Sequence, residues 1–202
     1  MANHGYVKTG NTLDFEEVKS HVKDINEKFF ENYFEIKSNS EHLTFHLVNE
    51  KDQLGIYFFL SDEKEYGKYD NGGVWQEYIN PITLSENSVI EFRHGHGGVD
   101  FLWWVESVFR HNLAHIYNGK ITDDGHELVE DPNTEKVKDY WTYITHGYDL
   151  SDKKVVESLH KRWSGNKILS EDLIPKELSE KYNLFPNIYE ELRKIKLNKI
   201  DL

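Results

Sequence analysis

Arg93-His94-Gly95-His96-Gly97-Gly98-Val99-Asp100-Phe101-Leu102-Trp103-Trp104 is the stretch on which the reading of this chain turns. Just before it, Ser88-Val89-Ile90-Glu91-Phe92 is short, β-branched and aromatic, which is the pattern of a strand. Just after it, Val105, Val108, Phe109, Leu113 and Ile116 recur at the spacing of a helix buried on most sides. The three glycines between permit a tight strand-to-helix turn. A helix over 99–117 is therefore expected, with Asp100 favouring its first turn and Asn118-Gly119 ending it.

Working back toward the N-terminus, residues 33–37, 42–48 and 54–60 read as strands, with 49–52 as a hairpin loop. His42 to Leu47 alternates polar and apolar, so one side of that strand should be solvated. Residues 56–60 are apolar throughout and read as a central strand. Residues 61–73 read as a long polar loop and 74–79 as another short strand. A first helix is expected over 14–28: Asp14 can cap it, with Glu17 three residues on. Phe15, Val18, Val22, Ile25 and Phe29 would form its buried stripe.

Toward the C-terminus, 120–122 suits a short edge strand. Helices are expected over 134–144 (Val137, Tyr140, Trp141 and Ile144 at helical spacing), 152–163 and 186–196, the last with Pro186 in its first turn. This order is α+β, not a βαβ alternation. It predicts an antiparallel meander sheet packed against an N-terminal helix and a long central helix, followed by a helical C-terminal third. The expected organisation is an α+β core domain over 1–130 and a helical extension over 131–202 docked on it.

Composition narrows the function classes. The chain has 202 residues, enough for a sizeable core. It is 38% hydrophobic and 14% aromatic, too rich in order-promoting residues for a disordered chain. Its net charge of -12 argues against direct nucleic-acid binding, which needs lysine and arginine to neutralise phosphates. It suits a partner of basic surfaces or a mimic of nucleic-acid charge. The absence of cysteine excludes disulfides, thiolate zinc sites and a cysteine nucleophile. The N-terminal residues show no apolar signal region, and no run approaches the ~18 apolar residues of a membrane span. A cytoplasmic protein with no membrane partner is the expectation.

Histidines supply the sharpest chemical candidate. His94 and His96 are two apart, which puts both rings on one side of an extended segment. His111 and His115 are four apart on the expected helix, a ligand-compatible spacing. Asp123, Asp124 and His126 add donors nearby. Three such ligands and an open position would make a catalytic zinc site and a metal-dependent hydrolase. Against this, His111-Asn112-Leu113-Ala114-His115 lacks the glutamate that follows the first histidine in zinc proteases. In the plainer reading His94 and His96 cap a turn, and His111 and His115 lie on a solvated helix face.

The other signals favour structure over chemistry. The glycines match neither phosphate-binding fingerprint, and Asp100 stands where a phosphate would sit. Trp103 and Trp104 fit a packed core, or an interface if one is exposed. The acids Asp123, Asp124, Glu127, Glu130, Asp131, Glu135 and Asp139 lack calcium-loop spacing. They read as a solvated loop or, with Asp62, Glu63, Glu65 and Asp70, as a patch facing a basic partner. No Gly-x-Ser-x-Gly is present to support a serine nucleophile. No catalytic residue and no cofactor is expected.

Met-Ala-Asn-His-Gly-Tyr-Val-Lys-Thr at 1–9, the 92–104 stretch and Gly119-Lys120-Ile121-Thr122-Asp123-Asp124-Gly125 together resemble small acidic proteins encoded by tailed bacteriophages. The resemblance covers residues 1–125 with gaps, and no catalytic residue transfers with it. It implies a phage setting: a virion or assembly component, or an inhibitor of host defence. The expected partners are then identical subunits, as a homo-oligomer, or virion neighbours. Trp103, Trp104, Asp123 and Asp124 are the interface candidates.

Overall fold

The structure, a computed structural model, describes residues 3–41, 43–49, 54–62, 88–94, 100–123, 129–163 and 176–198. The fold is α+β. In chain order the elements are β1 (Asn3–Lys8), α1 (Phe15–Phe30), β2 (Glu35–Asn39), β3 (Thr44–Asn49), β4 (Leu54–Asp62) and β5 (Ser88–His94). Then come α2 (Asp100–Ile116), β6 (Lys120–Asp123), β7 (Val129–Glu130), a 3-10 turn (Thr134–Val137) and α3 (Tyr140–Thr145). The last are α4 (Lys153–Trp163), α5 (Lys176–Tyr182) and α6 (Ile188–Asn198). The chain divides into two compact units. One is Met1–Gly98 with Leu102–Thr134; the other is Val99–Phe101 with Glu135–Leu202.

In the first unit a seven-stranded sheet runs β2-β3-β4-β5-β1-β6-β7, with every neighbouring pair antiparallel. β2 to β5 form the expected meander. Sequence patterning finds neither β1 nor β7, and β1 inserts between β5 and β6. β6, expected at an edge, is an inner strand because β7 pairs along its other side. β4 is an inner strand between β3 and β5, with Ile56, Phe58, Phe59 and Leu60 all buried. The expected strand over 74–79 and most of the loop over 61–73 lie outside the described residues.

Residues directly opposite each other on neighbouring strands share one side of a sheet. One side carries Phe45, Phe58 and Phe92 in one row, and Leu60, Ile90, Val7 and Ile121 in the next. α1 and α2 cover this side: Phe15 stacks on Phe45 at 4.5 Å, and Phe109 meets Phe58 edge-on at 5.3 Å. Phe30 joins the two helices, 5.8 Å from Phe109 and 5.4 Å from Trp104. Fully burying each such ring contributes roughly 1.5–3 kcal/mol, so these phenylalanines dominate the packing of the unit.

α1 starts as expected, because the Asp14 carboxylate accepts the Glu17 N–H at 2.8 Å. Its buried stripe ends on Phe30, not Phe29, because Phe30 is the ring that reaches Trp104 and Phe109. α2 ends where Asn118 adopts the left-handed conformation (φ 49). Gly119 instead provides room, since a Cβ there would stand 2.7 Å from the Lys8 carbonyl oxygen.

The second unit departs more from expectation. The helix predicted over 134–144 is broken at Asp139, which is extended (φ -152, ψ 165) and caps α3 by accepting the Thr142 N–H at 2.7 Å. A short acidic side chain competes for backbone N–H groups, and here it restarts the helix. Val137, Tyr140 and Ile144 are nonetheless buried. α5 was not expected. α6 begins at Ile188, so Pro186 lies before its first turn, and Asn187 accepts the Glu190 N–H at 3.3 Å as its cap. α4 and α6 pack together, and Tyr140 meets Trp163 edge-on at 6.1 Å. No helix among the described residues is long and apolar enough to cross a membrane.

Candidate functional site

α2 lays its apolar stripe against the sheet and also carries Glu106, Arg110, His111 and His115. Trp104 is only 3% exposed and sits edge-on to Phe30, within the core. Trp103, one position round the helix, is half-buried.

His111 is 1% exposed, which corrects its placement on a solvated face. The Asn133 N–H donates to its Nδ1 at 3.0 Å. That bond holds the segment after β7 to α2 and occupies one of the two imidazole nitrogens. His115, one turn later, is exposed. The pair therefore shares helical spacing without sharing an environment. His94 pairs through its backbone with Asn3 and Ile56. Its side chain and all of His96 lie outside the described residues. Among the described residues no three His, Cys, Asp or Glu side chains group as metal ligands.

Asp123 pairs with Gly5 through the backbone at the end of β6, while its side chain and Asp124 lie outside the described residues. Of the nearby acids, Asp131 forms an ion pair with Lys120, and Glu135 pairs with Lys138 at 3.2 Å. Asp139 is engaged as a cap. These carboxylates are thus exposed but locally partnered.

Sequence reasoning missed a buried ionic contact. Glu106 is 1% exposed and lies 3.3 Å from Arg110, one helical turn on. Both side chains are seated against Gly5 of β1: a Cβ at Gly5 would overlap Arg110 Nη1 and Glu106 Oε1. A charge removed from water is costly unless paired, so the side chains must stay together and Gly5 must stay small. Two sequence signals point here: Glu and Arg at i,i+4 in an otherwise apolar helix, and an isolated glycine inside a strand.

The second side of the sheet carries a polar-aromatic strip. Register places Lys37, His46, Tyr57 and Arg93 directly opposite one another across four strands. His46 stacks on Tyr57 at 3.9 Å. Arg93 lies over the Phe59 ring at 4.8 Å and forms an ion pair with Glu91, which is itself buried. Burial, then the nearby Lys37 charge, holds the His46 imidazole below its ordinary pKa. His46 is accordingly a neutral stacking partner at pH 7, with positive charge at either end of the row.

Compared with known proteins, the chain matches no family model, no curated protein and no solved structure.

Proposed function

We propose that this chain is a non-enzymatic structural or accessory protein of a phage particle, acting through contacts with identical or neighbouring subunits. The observation that carries the reading is the use of α2. Trp104 packs inward, Glu106 pairs with Arg110 against Gly5, and His111 secures Asn133. The groups with most chemical potential in this segment hold the unit together. The phage setting rests on the resemblance of residues 1–125.

Light scattering on the size-exclusion eluate, with metal analysis of the same peak, tests it. A metal-free oligomer is the expected result. A monomer carrying about one equivalent of zinc, the stoichiometry of a single catalytic site, overturns it and returns His94, His96, His111 and His115 to a hydrolytic role.

A further inference from the structure

We propose that the side of α6 carrying Tyr189, Arg193 and Lys196 is a docking surface for a second copy of this chain, whose α1 lies against it. This deepens the subunit-contact reading and rests on it.

α6 is held in its unit by Ile188, which is buried, and by Leu192, which is half-buried. Successive side chains stand about 100° apart round a helix, so Tyr189, Arg193 and Lys196, at i, i+4 and i+7, share one outward side. Tyr189 is 45% exposed, and both cations are exposed. Neither cation forms an ion pair among the described residues. The acids of α6 lie elsewhere round the helix, and Glu191 is taken up by Lys194 at 2.6 Å. Tyrosine and arginine are enriched in protein interfaces, and uncompensated cations select an acidic partner.

The chain itself supplies that partner. The second unit has as many basic as acidic residues, so the whole net charge of -12 belongs to the first unit. There α1 buries Phe15, Val18, Val22, Ile25 and Phe30. Glu16, Glu17, Ser20, Asp24 and Glu27 fall together on its opposite side, and all five are exposed. Lys19 and Lys23 stand at one margin of this side and Lys28 at the other. Lys19 pairs with Glu16 at 3.3 Å, and Lys28 lies over the Phe29 ring at 4.9 Å. Asp24 and Glu27 form no ion pair among the described residues. Like charges at this spacing repel, and a cationic partner removes that cost.

The two sides match in spacing. Ser20, Asp24 and Glu27 repeat the i, i+4, i+7 pattern of Tyr189, Arg193 and Lys196. Asp24 and Glu27 are as far apart along their helix as Arg193 and Lys196 along theirs, about 4.5 Å. Two carboxylates therefore meet two cations in one placement. Each copy carries one side of each kind, so the contact is heterologous. Exposed ion pairs are individually weak and screened by salt. The association is accordingly concentration-dependent and falls as ionic strength rises.

Sedimentation equilibrium at low ionic strength tests this with two charge-reversed chains. Asp24→Lys with Glu27→Lys sets cations against cations at the contact; Arg193→Glu with Lys196→Glu sets carboxylates against carboxylates. All four positions are exposed, so both chains should fold, as far-UV circular dichroism will show. Each alone should associate at least about tenfold more weakly than wild type. An equimolar mixture should associate about as tightly as wild type, because each variant then offers the other an opposite charge. Lys154→Glu with Lys161→Glu, the same change of net charge at exposed positions of α4, should leave association unchanged.

Wild-type association by either reversed chain alone, no recovery in the mixture, or an equal loss in the α4 control overturns the contact between α1 and α6. So does a reversed chain that loses thermal stability with no change in mass, since the cations of α6 then serve carboxylates of their own chain. If the wild-type chain is oligomeric while these tests fail, the α6 inference falls and the subunit-contact reading stands. A wild-type chain that is monomeric at every concentration removes both.

Discussion

Replacing Gly5 with alanine adds one methyl group at the closest approach of β1 to α2. The new Cβ would overlap Arg110 Nη1 and Glu106 Oε1 and come within 3.1 Å of Arg110 Cδ. Gly5 has no positive φ, so alanine fits its backbone. That substitution by itself is worth about 0.4–1 kcal/mol in favour of folding, through a less flexible unfolded chain. Against it stands overpacking at about 1–3 kcal/mol. A further cost arises if the ion pair opens, up to the ~3–5 kcal/mol of stranding a buried charge. Arg110 is 20% exposed and can swing outward, whereas Glu106 at 1% cannot follow it. Partial opening is the physical result, and the expected net destabilisation is about 2–3 kcal/mol. Urea unfolding followed by far-UV circular dichroism reads this. In a double-mutant cycle with Arg110→Ala the two losses should fall short of additive by about 1 kcal/mol or more, because the residues are in contact. A Gly5→Ala protein as stable as wild type, or more stable, would refute the close seating of the ion pair on β1.

Two other predictions follow from single side chains. His46 titrates below its ordinary value in the folded protein, so as pH falls through about 6.5 the unfolded chain takes up its proton first. The stability it contributes is full above that pH and lost as pH falls through the lower folded value. Between pH 7 and 5 the urea midpoint of His46→Gln should decline less than that of wild type, and parallel declines would exclude His46 as a contributor. At His111, alanine removes the Nδ1 acceptor and leaves a cavity; the expected cost is about 2–4 kcal/mol. Hydrogen exchange at the Asn133 amide should accelerate selectively, whereas exposed His115→Ala should stay within about 0.5 kcal/mol of wild type. Unchanged protection at Asn133 would mean that the bond does not hold this segment.

Elements with a local signature are legible in the amino-acid sequence alone. α1 is readable from Asp14, Glu17 and its apolar stripe, β4 from an unbroken apolar run, and α2 from its periodicity and the Asn118-Gly119 stop. β1 is not, because Asn-His-Gly-Tyr-Val-Lys has too few apolar residues to mark a strand. Its place between β5 and β6 is set by pairing with residues more than 80 positions away. The break at Asp139 is hidden for a different reason. The apolar spacing runs through it, and only the cap geometry shows that the backbone leaves the helix there.

The candidate site divides along the same line. Sequence by itself determined which residues carry chemistry, the −12 charge, the absence of thiols and the helical spacing of His111 and His115. Only the tertiary structure decided that His111 is buried against Asn133 while His115 faces solvent, that Trp104 is core, and that Glu106 and Arg110 meet Gly5. Spacing along a helix is a local property of the chain. Burial, and with it whether a polar group can meet a ligand or must hold the fold, depends on which distant strand lies opposite.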